Sequence, residues 1–239
     1  MSIRNDLLGG TDWAANDILT SADLNDTFDA AWEAAGSSPG FYLNSNFYDV
    51  YDNFDSYSTG AFSPTSLWTT SGTVEISATT NAGGSTQEAK VQAILSGFVN
   101  GSDTASLAAT DLTENRHVWA RLYCECTMSE DSGDNDSKAG YIRVRIGSSS
   151  QVKFFERTNQ GNNSDGGTVY CYTNVLVVAL GSDNYDVYIG GKKVISNYNT
   201  ADLTLSFDTY VSKSTATSGG SIAMNLYLDD VRQSTFDVE

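Results

Sequence analysis

Residues 117–128 form the stretch His117-Val118-Trp119-Ala120-Arg121-Leu122-Tyr123-Cys124-Glu125-Cys126-Thr127-Met128. Its even-numbered positions carry apolar or thiol side chains, and its odd-numbered positions carry mostly polar or amphipathic ones. Successive side chains of a β-strand point to opposite faces of a sheet. The alternation therefore predicts a strand with one buried face and one outward face.

Similar strand patterns follow along the chain. Residues 141–146 repeat the alternation, with Ile142, Val144 and Ile146 predicted to point inward. Residues 147–150, Gly-Ser-Ser-Ser, predict a hairpin turn into the next strand. The continuously apolar residues 175–180 predict a central strand that is buried on both faces.

Two turns are predicted from glycine and aspartate. Gly190-Gly191 separates two strand patterns and favours a two-residue hairpin turn, because glycine tolerates positive φ. Asp229-Asp230 follows an alternating run over residues 222–228 and predicts a turn before residues 231–238. Strands separated by turns, without helices between them, predict an all-β fold, an antiparallel jelly roll or β-sandwich.

Several segments resemble known jelly-roll folds. Residues 185–194 (YDVYIGGKKV) and 225–231 (NLYLDDV) are similar to the late strands of laminin-G and concanavalin-like lectin folds. Residues 52–57, 67–68 and 72–76 resemble the opening of concanavalin-like or carbohydrate-binding-module-like jelly rolls. These resemblances imply a fold more than a ligand. We expect this domain to span residues 41–239.

A single short α-helix is predicted before this domain, over about residues 20–35 of an N-terminal segment 1–40. Thr20 or Ser21 can cap it, and Gly36 ends it. One seam of apolar residues runs along the helix, and it consists of Leu24, Phe28, Ala31 and Ala35. Such a short helix needs a partner surface, which could be the β domain of the same chain or the same helix in sister subunits. Trp13 is a further candidate docking residue.

Residues 18–29, ILTSADLNDTFD, resemble a segment found near the N-termini of many tailed-virus tail-fibre and related virion proteins. In those proteins the segment belongs to the end attached to the particle, and it commonly precedes a trimeric, β-rich distal part. The resemblance implies a virion structural protein, a homotrimer, and contact with other virion proteins. It also implies that the chain is made in the host cytoplasm and leaves with the particle.

The net charge of −17 arises from 30 acidic and 13 basic residues. Such a surface repels phosphate backbones and anionic lipids, so we expect no nucleic-acid binding and no membrane binding. The sequence carries no apolar export signal and no apolar run long enough to span a membrane. The acidity is explained either by a salt-rich habitat or by the use of aspartate in turns.

The sequence offers weak signals for metals and cofactors, and we expect neither. Cys124, Cys126 and Cys171 predict buried free thiols rather than a disulfide framework. The only histidine, His117, lies at the wrong parity to complete a zinc site with Cys124 and Cys126. Asp131, Asp134 and Asp136 form a weak calcium candidate, but they lack the EF-hand order, and a solvated acidic hairpin tip is the preferred interpretation.

No enzyme signature is present. The sequence has no Glu-x-Asp-x-Glu run of the kind that jelly-roll glycosidases use to place two carboxylates in one cleft. No Gly-x-Ser-x-Gly elbow accompanies His117, and no glycine-rich phosphate loop precedes a helix. We therefore expect a protein that catalyses no reaction.

One surface is predicted to bind. Six outward residues on two predicted strands could form an aromatic platform with charged donors, namely Trp119, Arg121, Tyr123, Tyr141, Arg143 and Arg145. Apolar sugar faces stack on aromatic rings, and sugar hydroxyls pair with arginine. The same face could instead meet a second sheet or a neighbouring subunit.

Three functions follow from these observations. The first is a tail fibre or tail-associated attachment protein, whose N-terminus docks to the particle and whose β domain contacts neighbouring subunits or a host-surface glycan. The second is a capsid decoration, head-fibre or turret protein. The third is a carbohydrate-binding, lectin-like module.

Overall fold

The computed structural model describes residues 48–83, 85–129, 137–148, 150–160, 166–214 and 219–234 of the 239-residue chain. Over these ranges the chain forms antiparallel β-strands in two sheets, which confirms the predicted all-β sandwich. The predicted helix at 20–35, its seam Leu24, Phe28, Ala31 and Ala35, and Trp13 lie outside the described residues. Within the described ranges, no helix has the length and apolar character needed to cross a membrane.

The larger sheet, sheet A, has nine described strands in the order β12-β11-β10-β7-β14-β5-β4-β2, with β1 paired to β14 beside this path. Its strands are β1 (Tyr48–Asp52), β2 (Gly60–Ala61), β4 (Thr73–Ser77), β5 (Glu88–Leu95), β7 (Val118–Ser129), β10 (Gly167–Gly181), β11 (Asn184–Ile189), β12 (Lys192–Asn199) and β14 (Ser221–Ser234).

The smaller sheet, sheet B, has five described strands in the order β3-β6-β13-β8-β9. Its strands are β3 (Trp68–Ser71), β6 (Gly101–Ala109), β8 (Ser137–Ile146), β9 (Ser150–Gln160) and β13 (Leu205–Ser214).

The inner faces of the two sheets share one hydrophobic core. The predicted inward residues are buried, including the even-numbered residues 118–128 of β7, Ile142, Val144 and Ile146 of β8, and the even-numbered residues 222–228 of β14. Burial of this apolar surface is the main favourable contribution to folding. Side chains at the intervening positions therefore occupy the outer faces of the sandwich.

Glycines with positive φ occupy one predicted hairpin turn and one crossing between the two sheets. Gly190 and Gly191 have φ of 55° and 79° and join β11 to β12, as predicted. Gly72, at φ 70°, lies where the chain passes from β3 in sheet B to β4 in sheet A. A Cβ there would stand 2.3 Å from the Thr104 carbonyl oxygen, so this crossing requires glycine.

Two predictions about strands are wrong. Strand β10 is not buried on both faces, because only its inner face meets the core: Leu176 and Val178 are half-buried, and Leu180 is 44% exposed. Asp229-Asp230 does not end a strand. It forms a β-bulge inside β14, where the register with β7 shifts between Asp229 and Arg232 and Asp230 has φ 56°.

His117 and the three cysteines lie at buried or half-buried positions of the strands and of the segment before β7. His117 Nδ1 accepts a hydrogen bond from the Ala179 backbone N–H at 3.2 Å, and burial lowers the pKa of its imidazole. All three cysteines are free: Cys124 and Cys126 are buried and Cys171 is half-buried. Cys124 and Cys171 are register partners on β7 and β10.

Candidate functional site

The outer face of sheet A carries a cluster of four tyrosines at the centre of the sheet, which we call the tyrosine patch. Tyr123 lies on β7, Tyr170 and Tyr172 on the adjacent β10, and Tyr227 on the adjacent β14. Strand pairing places Tyr172 and Tyr227 directly opposite Tyr123. Register therefore gathers residues that lie far apart in the sequence.

The tyrosine patch has two buried and two exposed members. The ring centroid of Tyr123 lies 4.8 Å from that of Tyr172, 5.6 Å from that of Tyr227 and 5.9 Å from that of Tyr170. Tyr123 and Tyr227 are 8% exposed, whereas Tyr170 and Tyr172 are 63% and 68% exposed. The buried rings support the exposed ones, so two large aromatic faces are presented to solvent.

The two buried tyrosines of the patch, Tyr123 and Tyr227, keep their hydroxyl protons at ordinary pH. Burial raises the pKa of Tyr227 to about 12 and raises the pKa of Tyr123 above its usual value of 10.0. The neighbouring Glu125 carboxylate adds to both shifts. Both phenols are thus protonated, and each can donate one hydrogen bond.

A polar chain runs beside the tyrosine patch across three strands. Asn225 Nδ2 on β14 donates to Glu125 Oε1 on β7 at 2.9 Å, and Gln92 Nε2 on β5 donates to Asn225 Oδ1 at 2.7 Å. A carboxylate only accepts hydrogen bonds, so it fixes the orientation of the Asn225 amide and, through it, that of Gln92. The chain gives this face a set of oriented donors and acceptors next to aromatic rings.

At the other end of the face lies a cluster of Trp119, Arg121, Asp230 and Arg232, which we call the arginine cluster. Arg232 Nε and Nη2 each donate to Asp230 at 2.6 Å, and Arg121 Nε lies 3.1 Å from Asp230 Oδ2. The guanidinium carbons of Arg121 and Arg232 lie 5.5 and 5.4 Å from the Trp119 ring centroid. The bulge in β14 creates this cluster by placing Arg232 opposite Trp119.

Two carboxylates of this face are covered by the loop before β5. Asp229 accepts from the Ser85 backbone N–H at 3.1 Å and from its hydroxyl at 2.8 Å. Glu88 accepts from the backbone N–H groups of Asn81 and Ala82 at 3.0 and 2.8 Å. Burial raises the pKa of Asp229 to about 6, although the bonds from Ser85 oppose the rise. Both carboxylates are bound by their own chain and fix the loop on the sheet.

The six residues predicted to form one face do not lie together. Trp119, Arg121 and Tyr123 lie on the outer face of sheet A, whereas Tyr141, Arg143 and Arg145 lie on the outer face of sheet B. The prediction of a single platform is wrong, because β7 pairs with β10 and β14 while β8 pairs with β13 and β9. All six side chains point outward, but on opposite sides of the sandwich.

Sequence reasoning missed most partners of Tyr123. Tyr170 and Tyr172 alternate with Val169 and Cys171, and Tyr227 stands between two predicted inward leucines, so outward orientation could have been inferred for all three. Their convergence depends on strand register, which the local pattern does not contain.

Candidate metal ligands can be assessed only for the described residues. Asp131, Asp134 and Asp136, the weak calcium candidate, lie outside the described residues. Across the ranges that are described, no group of three or more His, Cys, Asp or Glu side chains is arranged to hold a metal ion.

No protein-family model matches this chain, and no curated protein matches it. Among solved structures, the chain is similar to a glycoside hydrolase family 16 endo-glucanase from Bacteroides ovatus, with 9% identity, a TM-score of 0.39, and coverage of 77% of this chain and 99% of the other.

Two further similar structures are of carbohydrate-binding proteins. TmCBM61 in complex with β-1,4-galactotriose has 13% identity and a TM-score of 0.31, covering 78% of this chain and 99% of the other. The Emp47p carbohydrate recognition domain has 9% identity and a TM-score of 0.37, covering 78% of this chain and 98% of the other. Identities and TM-scores this low indicate no function for this chain.

Proposed function

We propose that this chain binds a neutral carbohydrate, without cleaving it, through the outer face of sheet A. The observation that carries the proposal is the tyrosine patch beside the oriented polar chain Glu125–Asn225–Gln92. The similar solved structures that hold a carbohydrate or form a carbohydrate recognition domain are consistent with the same class of ligand but are not the basis of the proposal.

The chemistry of a sugar matches this surface. A pyranose ring has an apolar face whose C–H hydrogens are weakly positive, and an aromatic ring has a negative face. Tyr170 and Tyr172 offer such faces, and both are mostly exposed. Sugar hydroxyls both donate and accept, as do the amides and phenols here. Tyrosine also supplies contact area at low entropic cost, because it has few rotatable bonds.

Charge favours a neutral ligand on this face. Glu125 and Glu75 lie on it, and Glu75 is paired with Lys90 at 3.0 Å. The arginines Arg121 and Arg232 share the carboxylate of Asp230. Together with the overall charge of −17, this arrangement offers no surplus of positive charge for a polyanion.

We propose a virus particle as the setting, on the resemblance of residues 18–29 to virion attachment segments. A homotrimer docked through its N-terminal segment would display three sugar-binding faces at once. Linked weak sites raise the overall avidity without new contacts. Light scattering of the full chain in solution tests this part: a trimer supports it, and a monomer contradicts it.

Calorimetric titration with a panel of neutral oligosaccharides tests sugar binding. The test variant is Tyr170→Ala with Tyr172→Ala, and the control is Phe98→Ala, since Phe98 is 72% exposed and lies in the β5–β6 connection. We expect the wild type and the control to bind one glycan class equally, and the double variant to bind at least about tenfold more weakly.

Three outcomes would contradict the proposal. Equal affinity of the double variant and the wild type would exclude the tyrosine patch. Absence of binding by the wild type to every neutral glycan, together with self-association that the double variant abolishes, would make this face a subunit contact. Release of new reducing ends from a bound glycan would show that the chain is an enzyme.

A further inference from the structure

The outer face of sheet B contains a pocket of about 200 Å³, on the opposite side of the sandwich from the tyrosine patch. One wall is formed by Arg143, Arg145 and Tyr141 of β8 together with Asp208 of β13. The other side is formed by hydroxyl residues of β3 and β6, namely Ser71, Thr104 and Ser106.

Strand register explains why charged and aromatic side chains line one side of the pocket and hydroxyl side chains line the other. Asp208 stands between Ser106 of β6 and Arg143 of β8 in one cross-strand row. Tyr210 stands between Thr104 and Tyr141 in the next row, and its ring stacks on that of Tyr141 with centroids 4.7 Å apart and an interplanar angle of 17°. Arginines and aromatic rings thus border the pocket on one side, and small hydroxyl side chains border it on the other.

The charged wall holds more positive than negative charge. Arg143 Nε donates to Asp208 Oδ2 at 2.6 Å, and Arg145 Nη2 donates to Asp208 Oδ1 at 3.0 Å. Two guanidinium groups therefore share one carboxylate, which is 5% exposed. Lys153 adds a third cation 4.1 Å from the Tyr141 ring centroid, and Glu156 lies 3.4 Å from its ammonium.

The two arginines have capacity for a further acceptor. Each guanidinium carries five N–H groups in a rigid, planar arrangement that suits carboxylates. Arg143 also donates from Nη1 to Gln151 Oε1 at 2.7 Å. Within the described part of the chain, these contacts leave several N–H groups of both arginines for a ligand in the pocket.

We propose that this pocket binds a carboxylate-bearing sugar residue, with its carboxylate on Arg143 and Arg145 and its hydroxyl groups on Ser71, Thr104 and Ser106. The pair of guanidiniums supplies the charge-assisted bonds, and the hydroxyl side supplies neutral donors and acceptors. The volume of about 200 Å³ suits one sugar residue rather than a chain. This site is separate from the neutral-glycan site, since the two lie on different sheets.

The negative charge of the whole chain does not prevent this binding. At physiological ionic strength, interactions between exposed charges are screened beyond about 8 Å. A carboxylate in the pocket is therefore governed by the nearby arginines rather than by distant acids. Since counter-ions compete for the same guanidiniums, binding should weaken as salt is added.

An NMR titration of the isotopically labelled full chain with sodium glucuronate tests the proposal, with glucose and inorganic phosphate as comparison ligands. We expect glucuronate to shift the backbone amides of Ser106, Arg143 and Asp208, and to leave those of Tyr123 and Tyr172 unmoved. In this pocket glucose and phosphate should bind at least about tenfold more weakly, as read from the amides of Ser106, Arg143 and Asp208, because each offers only one half of the recognition.

Three variants separate binding from folding. Arg145→Gln should weaken glucuronate binding about tenfold or more, through loss of charge-assisted hydrogen bonds. Asp208→Asn should tighten it severalfold, because it removes the competing carboxylate, and a misfolded chain could not bind more tightly. Lys192→Gln, which removes an equal charge from the exposed β11–β12 hairpin, should leave the affinity unchanged.

Several results would overturn the proposal. They are an absence of localised shifts with glucuronate, phosphate binding as tight as glucuronate binding, or unchanged affinity in both Arg145→Gln and Asp208→Asn. Loss of neutral-glycan binding in the Tyr170/Tyr172 double variant bears only on the other face, so the two proposals fail independently.

Discussion

Replacing Asp230 should destabilise the fold more than any ordinary surface substitution, because its carboxylate pairs with two guanidiniums. Asp230 is 4% exposed and Arg232 is 5% exposed. Arg232 makes two hydrogen bonds of 2.6 Å to Asp230, and Arg121 lies 3.1 Å away on the neighbouring strand. Removing the carboxylate takes two short charge-assisted hydrogen bonds away from a buried guanidinium, whose desolvation is no longer offset by Asp230.

The expected size follows from the cost of breaking a buried ion pair. Loss of one partner of such a pair costs about 3–5 kcal/mol, because the remaining charge stays desolvated. We expect Asp230→Ala to lower the free energy of unfolding by this amount. Asp230→Asn keeps the shape and one acceptor oxygen, so we expect a loss of about 2–3 kcal/mol.

A glycine variant separates charge from backbone geometry. Asp230 has φ 56°, a left-handed conformation that costs most residues about 1–2 kcal/mol and costs glycine almost nothing. Asp230→Gly loses the same carboxylate as Asp230→Ala but relieves the backbone. It should therefore be about 1 kcal/mol more stable than Asp230→Ala.

Urea unfolding followed by tryptophan fluorescence measures these differences. Asp111→Asn serves as the control, since Asp111 is exposed, and it should change stability by less than about 0.5 kcal/mol. If Asp230→Asn and Asp230→Ala both stay within about 1 kcal/mol of the wild type, the arginine cluster is not a buried ion-pair network and the reasoning is refuted.

Two further predictions concern titrating groups. The thiol of Cys171 should react with iodoacetamide before those of Cys124 and Cys126, with a rate that rises around pH 7. A hydrogen bond from Cys124 lowers the pKa of Cys171 to about 7, whereas burial raises the pKa values of Cys124 and Cys126. Mass spectrometry that finds another cysteine modified first would contradict this prediction. The pKa of Asp229 is about 6 in the folded chain against a usual 3.8, so the folded state holds its proton more tightly and this carboxyl makes stability fall as pH rises from about 4 to 6. Relative to the wild type, Asp229→Asn should gain about 2–3 kcal/mol over that interval in urea unfolding, and parallel pH profiles of the two proteins would exclude it.

The inner faces of the sandwich could be predicted from sequence because burial has a strict local signature. Every second residue of a half-buried strand must be apolar, and the segments 118–128, 142–146 and 222–228 all obey this rule in the structure. Glycine turns were equally local, as Gly190-Gly191 shows. Both features depend on residues within a few positions of one another.

The two proposed binding faces could not be predicted because they depend on pairing between distant strands. Parity showed that Tyr123 and Tyr141 both point outward, but nothing local assigned β7 to sheet A and β8 to sheet B. Tyr172 meets Tyr123 only through the register of β10 on β7. The bulge at Asp230 was equally hidden, because two adjacent aspartates favour a turn as readily as a bulge.

The alternation that makes this fold predictable also leaves its function free to vary. The core uses only inward side chains, so outward residues of both sheets can change their chemistry at little cost to stability. The exposed members of the tyrosine patch and the arginines of the sheet B pocket follow this division, since Tyr172 and Arg145 each keep a substantial exposed fraction. The arginine cluster departs from it: Asp230 and Arg232 lie on the outer face but are buried. Substitutions there should therefore reduce stability and alter the face that we propose binds sugar, whereas substitutions of Tyr172 should affect the proposed binding alone.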